Sequence, residues 1–205
     1  METVAVIDFE TTGLYPDYGD RATEIAVMLV RNGEIVDRYQ SLMNAGVRIN
    51  GFITSLTGIT NQMIRAAPAA ERVMREVVAF VGDTPLVAHN ASFDRRFWDA
   101  ELERIGCVRR QDFACSMLIA RRLLPEAPNH KLGTLVAYAG LPVTGTYHRA
   151  EADAEMAAHL TVHLEHQLMH RFQLDEVPHA LLTRIQKVPK HQLKRCIERH
   201  CGSCV

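Results

Sequence analysis

The sequence lacks any long hydrophobic run. No stretch reaches the roughly 18 consecutive apolar residues that a bilayer-spanning helix needs, so we expect no membrane partner. The first residues lead at once into a predicted strand, and no secretory signal is expected. Cysteines are few and odd in number, five in all, which fits a reducing cytosol better than a disulfide framework. We therefore expect a cytoplasmic protein.

The chain also lacks a marked excess of either charge. Its formal net charge is -1, so the overall composition gives no support for a basic nucleic-acid-binding surface. It does not exclude one, because bound cations could supply positive charge locally. The 205 residues, 47% of them apolar and 23% charged, suffice for one sizeable core and an appendage.

The pattern of apolar residues predicts an α/β fold. Residues 3–8, 24–31 and 34–42 are predicted to form three antiparallel strands, the last two joined at Asn32-Gly33, which is a strong two-residue turn signal. Further strands are expected over 85–88 and 113–115. Helical spacing predicts helices within 51–65 and over 69–81, 90–105, 116–124, 132–139 and 149–172. Three strands followed by βα units imply a mixed sheet flanked by helices.

The C-terminal segment differs in composition from what precedes it. Pro178 and Pro189 interrupt it, and five cations between Lys187 and Arg199 make it locally basic. We expect a main domain over residues 1–172 and a basic helical appendage over 173–205.

Four carboxylates stand beside apolar segments, where an unpaired charge is costly to bury. Asp8 and Glu10 are two residues apart on a predicted strand, so both point to one side and repel each other unless a cation lies between them. Asp94 projects onto the same side of its helix as Phe97, and Asp153 falls within the apolar stripe of the long helix. Converging acids of this kind typically hold divalent cations and favour phosphate chemistry.

One histidine accompanies these acids. His148 lies five residues before Asp153 and just ahead of the long helix, where it can reach the rim of the same site. Histidine titrates near neutral pH and is a suitable general base for a water molecule.

Together these segments resemble the three exonuclease motifs of the DEDDh 3′–5′ exonucleases, the DnaQ-like family that includes the epsilon proofreading subunit of bacterial DNA polymerase III. The resemblance covers about residues 3–170, and the order of the motifs makes it specific. It is carried by Asp8-Phe9-Glu10, by His89-Asn90-Ala91-Ser92-Phe93-Asp94, by His148 with Asp153, and by the epsilon-like stretches Thr11-Thr12-Gly13 and Leu56-Thr57-Gly58-Ile59-Thr60.

The resemblance implies a ribonuclease H-like fold with a five-stranded mixed sheet, and a site with two Mg²⁺ or Mn²⁺ ions. Asp8 would bridge both ions, Glu10 and Asp153 would complete the first site, and Asp94 would help hold the second. His148 would take the proton from the attacking water. The implied products are nucleoside 5′-monophosphates released from a 3′ end.

Four further residues are candidates for binding the terminal nucleotide. The resemblance implies this role for Thr11 and Thr12 in the turn after the acidic strand, and for Leu14 as a wedge against the last base. Asn90 is a weaker candidate, because the spacing favours it as the N-cap of the next helix.

Several alternatives stay open at this stage. The partner is expected to be single-stranded or 3′-terminal DNA, because the epsilon-like stretch from Leu56 to Thr60 favours DNA over an RNA-trimming activity. A non-catalytic nucleic-acid-binding module would be expected to lose carboxylates, whereas all four are present. Only a loose association with a DNA polymerase is expected, in proofreading or repair. The basic appendage could follow a phosphate backbone, dock a partner or be a solvated helix, and Cys196, Cys201 and Cys204 could bind zinc or belong to a disordered terminus.

Overall fold

The computed structural model describes residues 2–143, 145 and 148–202. Over this part of the chain it contains five strands and nine α-helices. The strands are β1 Val4–Thr11, β2 Ala22–Arg31, β3 Glu34–Leu42, β4 Leu86–Ala88 and β5 Phe113–Cys115. The helices are α1 Gly51–Thr57, α2 Asn61–Ala66, α3 Ala70–Val81, α4 Ser92–Arg104, α5 Ser116–Leu123, α6 Leu132–Tyr138, α7 Ala150–Phe172, α8 His179–Ile185 and α9 Leu193–Cys201.

The strands form one mixed sheet in the order β3-β2-β1-β4-β5. β1, β2 and β3 pair antiparallel, whereas β4 pairs parallel with β1 and with β5. The predicted antiparallel trio and the five-stranded mixed sheet are therefore confirmed. β1 and β2 each extend further towards the loop between them than predicted, because pairing continues past Glu10 to Thr11, opposite Ala22.

The two faces of the sheet are covered by different helices. Along β1 the side chains alternate, so that Ala5 and Ile7 pack with α3 and α4, while Val4 and Val6 pack with α5 and α7. Continuing the alternation places Asp8 on the α7 face, at the point where the helix begins. Asp8, the first acidic residue of β1, therefore lies at the edge of the apolar core.

The C-terminal segment packs against the same core. α8 and α9 contribute buried side chains to the hydrophobic cluster that also contains α5 and α7, namely Leu181, Leu182, Ile185, Leu193 and Ile197. The boundary near residue 173 stays a prediction. The zinc hypothesis also stays a prediction, because Cys204 lies outside the described residues, while Cys196 is half-buried and Cys201 exposed.

The long helix α7 does not resemble a membrane span. Among the helices of the described ranges, none is both long enough and apolar enough to cross a bilayer.

Candidate active site

The first two acids come from the end of β1. Asp8 and Glu10 are both half-buried and two residues apart, so they share one face of the strand. Glu10 pairs with Glu24 of β2, but the next residue, Thr11, pairs with Ala22. The pairing register therefore shifts immediately after Glu10. Such a bulge bends the strand locally and is common beside functional sites.

The third acid comes from the first turn of α4. Asp94 is only 2% exposed, which confirms the predicted inward direction. Its Oδ1 accepts a hydrogen bond from the backbone N–H of Phe9 at 3.3 Å. Because Phe9 lies between Asp8 and Glu10, this contact joins the start of α4 to the acidic end of β1.

The fourth acid and the histidine come from the start of α7. Asp153 is half-buried, and its Oδ2 accepts a hydrogen bond from the backbone N–H of His148 at 3.1 Å. His148 is exposed and has a φ of 63°, a left-handed conformation that few non-glycine residues adopt. One ligand atom each from Glu10, His148 and Asp153 lies within 4.8 Å of the others. The structure therefore brings together Glu10, His148 and Asp153, and the Phe9 contact places Asp94 next to the strand end that carries Asp8 and Glu10.

Burial and mutual repulsion make these carboxylates unusually basic. Burial, and then the charges of Asp94 and Asp153, raise the pKa of Asp8 well above its ordinary value. Burial and the charge of Asp153 raise the pKa of Glu10 to about 8, and burial raises the pKa of Asp94 to about 7. A cluster of oxygen donors with excess negative charge fits hard divalent cations, which would relieve that repulsion.

Two buried ion pairs hold the helices that carry these acids, and neither was predicted. On β2, the fully buried Glu24 accepts hydrogen bonds from Arg149 Nε at 3.0 Å and Nη2 at 2.7 Å, and from the backbone N–H of Ala150 at 3.1 Å. On α4, Glu101 accepts from Arg21 Nε at 2.8 Å and Nη2 at 2.9 Å. The first pair fixes the start of α7, and the second fixes α4 to the entry of β2.

The sequence did contain a signal for both pairs. Glu24 interrupts an otherwise apolar strand, and Glu101 falls on the apolar side of α4 beside Trp98. A charge at such a position requires a buried partner. The sequence shows the need for that partner but not its identity.

Of the predicted nucleotide-binding residues in this turn, two have side chains hydrogen-bonded within the protein and one is exposed. The Thr11 hydroxyl donates to the backbone oxygen of Gly13 at 2.6 Å, and the Thr12 hydroxyl donates to Asp20 Oδ1 at 3.0 Å, so both side chains stabilise the turn. Leu14, in contrast, is 58% exposed. The assignment of these residues to substrate binding stays a prediction.

Two exposed tyrosines follow Leu14 in the chain and were not predicted as site residues. Tyr15 and Tyr18 are 51% and 88% exposed, and their rings contact each other edge to face with centroids 5.9 Å apart. The guanidinium of Arg96, on α4, lies 5.8 Å from the centre of the Tyr15 ring. Exposed aromatic rings beside a cation can stack with nucleic-acid bases.

The prediction that Asn90 caps the following helix is wrong. Ala91 occupies the N-cap position of α4, and Asn90 stands one residue earlier with a φ of 68°. It contributes its backbone oxygen, which accepts a hydrogen bond from the N–H of Phe93 at 2.9 Å. Its exposed side chain stays a candidate for substrate binding.

The chain resembles known exonucleases over most of its length. A family model described as Exonuclease matches residues 5–161. The DNA polymerase III PolC-type protein of Bacillus cereus is 38% identical over 162 residues, which are 78% of this chain and 11% of that protein. The chain thus spans about a tenth of the length of the curated relatives that it matches.

Solved structures show the same fold. A structure of Exonuclease X in complex with 5′ overhanging duplex DNA is 28% identical, with a TM-score of 0.67 over 84% of this chain and 95% of the other. Escherichia coli Exonuclease I in complex with a dT13 oligonucleotide has a TM-score of 0.72 at 17% identity, covering 84% and 43% of the two chains. These likenesses confirm the predicted ribonuclease H-like fold. The chain therefore belongs to the exonuclease family and is a DnaQ-like 3′–5′ exonuclease.

Proposed function

We propose that the chain hydrolyses DNA from its 3′ end and releases nucleoside 5′-monophosphates, using two divalent cations, Mg²⁺ or Mn²⁺, held by Asp8, Glu10, Asp94 and Asp153. The observation that carries the proposal is the convergence of these four carboxylates, from β1, α4 and α7, with His148 at one end of the sheet. Exonucleases of this family generally use divalent metal ions.

The donor set supports this choice of cation. Burial and the charges of Asp94, Asp153 and Glu10 raise the pKa of Asp8, so cations beside it would relieve this repulsion, and we assign Asp8 to both ions. Glu10 and Asp153 have ligand atoms within 4.8 Å of each other and would hold one ion, and Asp94 would contribute to the second. Bound cations would lower the pKa of the attacking water and stabilise the charge on the leaving 3′ oxygen.

The chain's own residues would orient the terminal phosphodiester and move the proton. His148 is exposed at the rim and fixed through its backbone N–H to Asp153, so its imidazole can accept the proton of the attacking water. Leu14 and the neighbouring tyrosines would contact the terminal bases. General-base catalysis contributes about 10²- to 10⁴-fold, so His148→Ala should lower kcat by that factor with little change in KM.

The DNA preference rests on the PolC-type relatives, whose name states a DNA polymerase. They also suggest a role in association with a DNA polymerase, in proofreading or in repair. An RNA-trimming activity uses the same chemistry and would differ in contacts to the 2′-hydroxyl group. A binding module without catalysis is disfavoured by the complete set of acids.

The experiment compares DNA and RNA strands of one sequence, labelled at either the 5′ or the 3′ end, with Mg²⁺. We expect the 3′ label to leave first as a mononucleotide, and DNA to be degraded faster than RNA. Asp8→Asn should lower kcat by at least about 10²-fold, given the size of electrostatic contributions to catalysis. Glu151→Gln, on the same helix as Asp153 but exposed, is the matched control and should leave the rate unchanged. Release of the 5′ label first, or an active Asp8→Asn variant, would contradict the proposal.

A further inference from the structure

We propose that α8 and α9, together with the start of α4 and with α5, form a basic track that binds the sugar–phosphate backbone of the substrate on the 5′ side of its 3′ end. The inference rests on the proposed function, because it assumes that the substrate is a nucleic acid. It assigns a role to the C-terminal segment, which lies outside the residues matched by the exonuclease family model.

Two surface cavities define the track. The first, of ≈ 430 Å³, begins at Asn90 and Ser92 and is also lined by Arg95, Arg121 and Lys187. Its first residues lead directly into α4, whose first turn carries Asp94, so the cavity and the acidic cluster share the start of this helix. A strand leaving the cluster on this side would therefore pass into the cavity.

The second cavity, of ≈ 290 Å³, continues the first. It lies between α8 and α9, and Lys187 lines both cavities. Its other cations are Arg184, Arg195 and Arg199. Arg195 and Arg199 are four residues apart, one turn of α9, so both side chains lie on the face that lines the cavity.

The charge of the track is of one sign. Six exposed cations line the two cavities, and within the described residues that line them there is no carboxylate. Over residues 2–143, 145 and 148–202, five of the six have no acidic partner within 4.0 Å, in contrast to the paired Arg21 and Arg149. Since the whole chain is close to neutral, this local excess is a feature of the surface. The five are Arg95, Arg121, Arg184, Lys187 and Arg195.

The track is also fixed in position relative to the sheet. Arg122 on α5 donates hydrogen bonds to the backbone oxygens of Gln186 and Val188, both at 2.8 Å. The side chain of Gln186 bonds in turn to the edge strand β5, through Cys115 N–H at 2.7 Å and Phe113 O at 2.9 Å. Because the backbone that carries Lys187 is held in place, less backbone freedom is lost when the track binds a phosphate backbone.

The test compares a variant of the track with a matched control. The track variant is Lys187→Gln with Arg195→Gln. The control, Arg31→Gln with Arg75→Gln, also removes two exposed positive charges. Arg31 lies at the end of β2 opposite to Glu24, and Arg75 is on α3, so neither lines the two cavities.

Two substrates separate the track from the chemistry. For a 20-nucleotide DNA strand near 0.1 M salt, we expect the track variant to have about tenfold lower kcat/KM than the wild type. A dinucleotide is too short to reach the track, so its kcat/KM should change less than twofold. Strand binding is measured by fluorescence anisotropy with chelator. In that assay the dependence of log K on log salt should become less steep by about 1.4, at about 0.7 for each lost contact with a single strand.

The outcomes are distinct. The track proposal would be overturned if the track variant and the wild type had equal kcat/KM on the 20-nucleotide strand. It would also be overturned if the track variant lost kcat/KM equally on the strand and on the dinucleotide. An equal loss in the control variant would do so as well, because it would show an effect of net charge alone. If the wild type degrades neither substrate, the proposed function fails, and the anisotropy measurement still decides whether the track binds DNA.

Discussion

The buried pair between Glu24 and Arg149 provides a sharp prediction, because it connects the stability of the fold to the position of two catalytic candidates. Arg149 directly follows His148 and is the N-cap residue of α7, four residues before Asp153. We consider Arg149→Gln, which removes the positive charge and leaves the Glu24 carboxylate buried. Breaking a buried ion pair costs about 3–5 kcal/mol.

The exposure of the arginine reduces this value. Glu24 is fully buried, but the Arg149 side chain is 37% exposed, so water already shares the charge on that side. We therefore expect Arg149→Gln to lower the free energy of unfolding by about 2 kcal/mol. Glu24→Gln should be destabilising as well. The double variant should cost less than the sum of the two single variants by roughly 1 kcal/mol or more, since the residues contact each other.

Urea unfolding at neutral pH with Mg²⁺ measures these energies, and steady-state kinetics on a single DNA strand measures the effect on the site. A shift of about 1 Å in a reacting group can cost about 10²-fold in rate. For Arg149→Gln we therefore expect kcat to fall by about 10- to 100-fold, while KM stays within about threefold. Arg38→Gln is the matched control, because Arg38 pairs with Glu151 and Glu155 of the same helix at the surface, at 3.7–4.0 Å. It should cost less than about 0.5 kcal/mol. Strict additivity of the two single variants, or an unchanged kcat in Arg149→Gln, would refute the reasoning.

Two further predictions concern metal removal and the sheet edge. The raised pKa values of Glu10, about 8, and Asp94, about 7, mean that the folded chain binds more protons than the unfolded chain, so metal-free protein should lose about 2 kcal/mol of stability as pH rises from 7 to 9. Mg²⁺ should restore this stability at pH 9. Burial also raises the pKa of Glu165 to about 7, so Glu165 adds a further loss of stability with rising pH, which Mg²⁺ does not reverse. Stability that is flat with pH, or no rescue, would contradict this. Gln186→Leu should cost about 2 kcal/mol by leaving two backbone groups of β5 unpaired, and exposed Gln192→Leu almost nothing, as read from urea midpoints.

The parts of the fold that were predicted correctly depend on local patterns. Strand alternation and the Asn32-Gly33 turn gave the antiparallel strands, and the spacing of Val73, Val77 and Val81 gave α3. The inward direction of Asp94 followed from a helical projection that needs only its neighbours in sequence.

The parts that were missed depend on distant contacts. Arg149 and Glu24 are 125 residues apart, and Arg21 and Glu101 are 80 apart, so no local pattern pairs them. The cap of α4 was misplaced because Asn90 adopts a left-handed backbone conformation, which delays the helix until Ser92.

The central claim is that acids from three distant segments form one binding site for divalent cations. A Mn²⁺ titration of metal-free protein, followed by electron paramagnetic resonance of the free ion, tests it most directly. The account predicts two bound ions per chain in the wild type in the presence of a mononucleotide 5′-phosphate, and the loss of both in Asp8→Asn, with Glu151→Gln as control binding like the wild type. Equal binding by the wild type and Asp8→Asn would contradict the account.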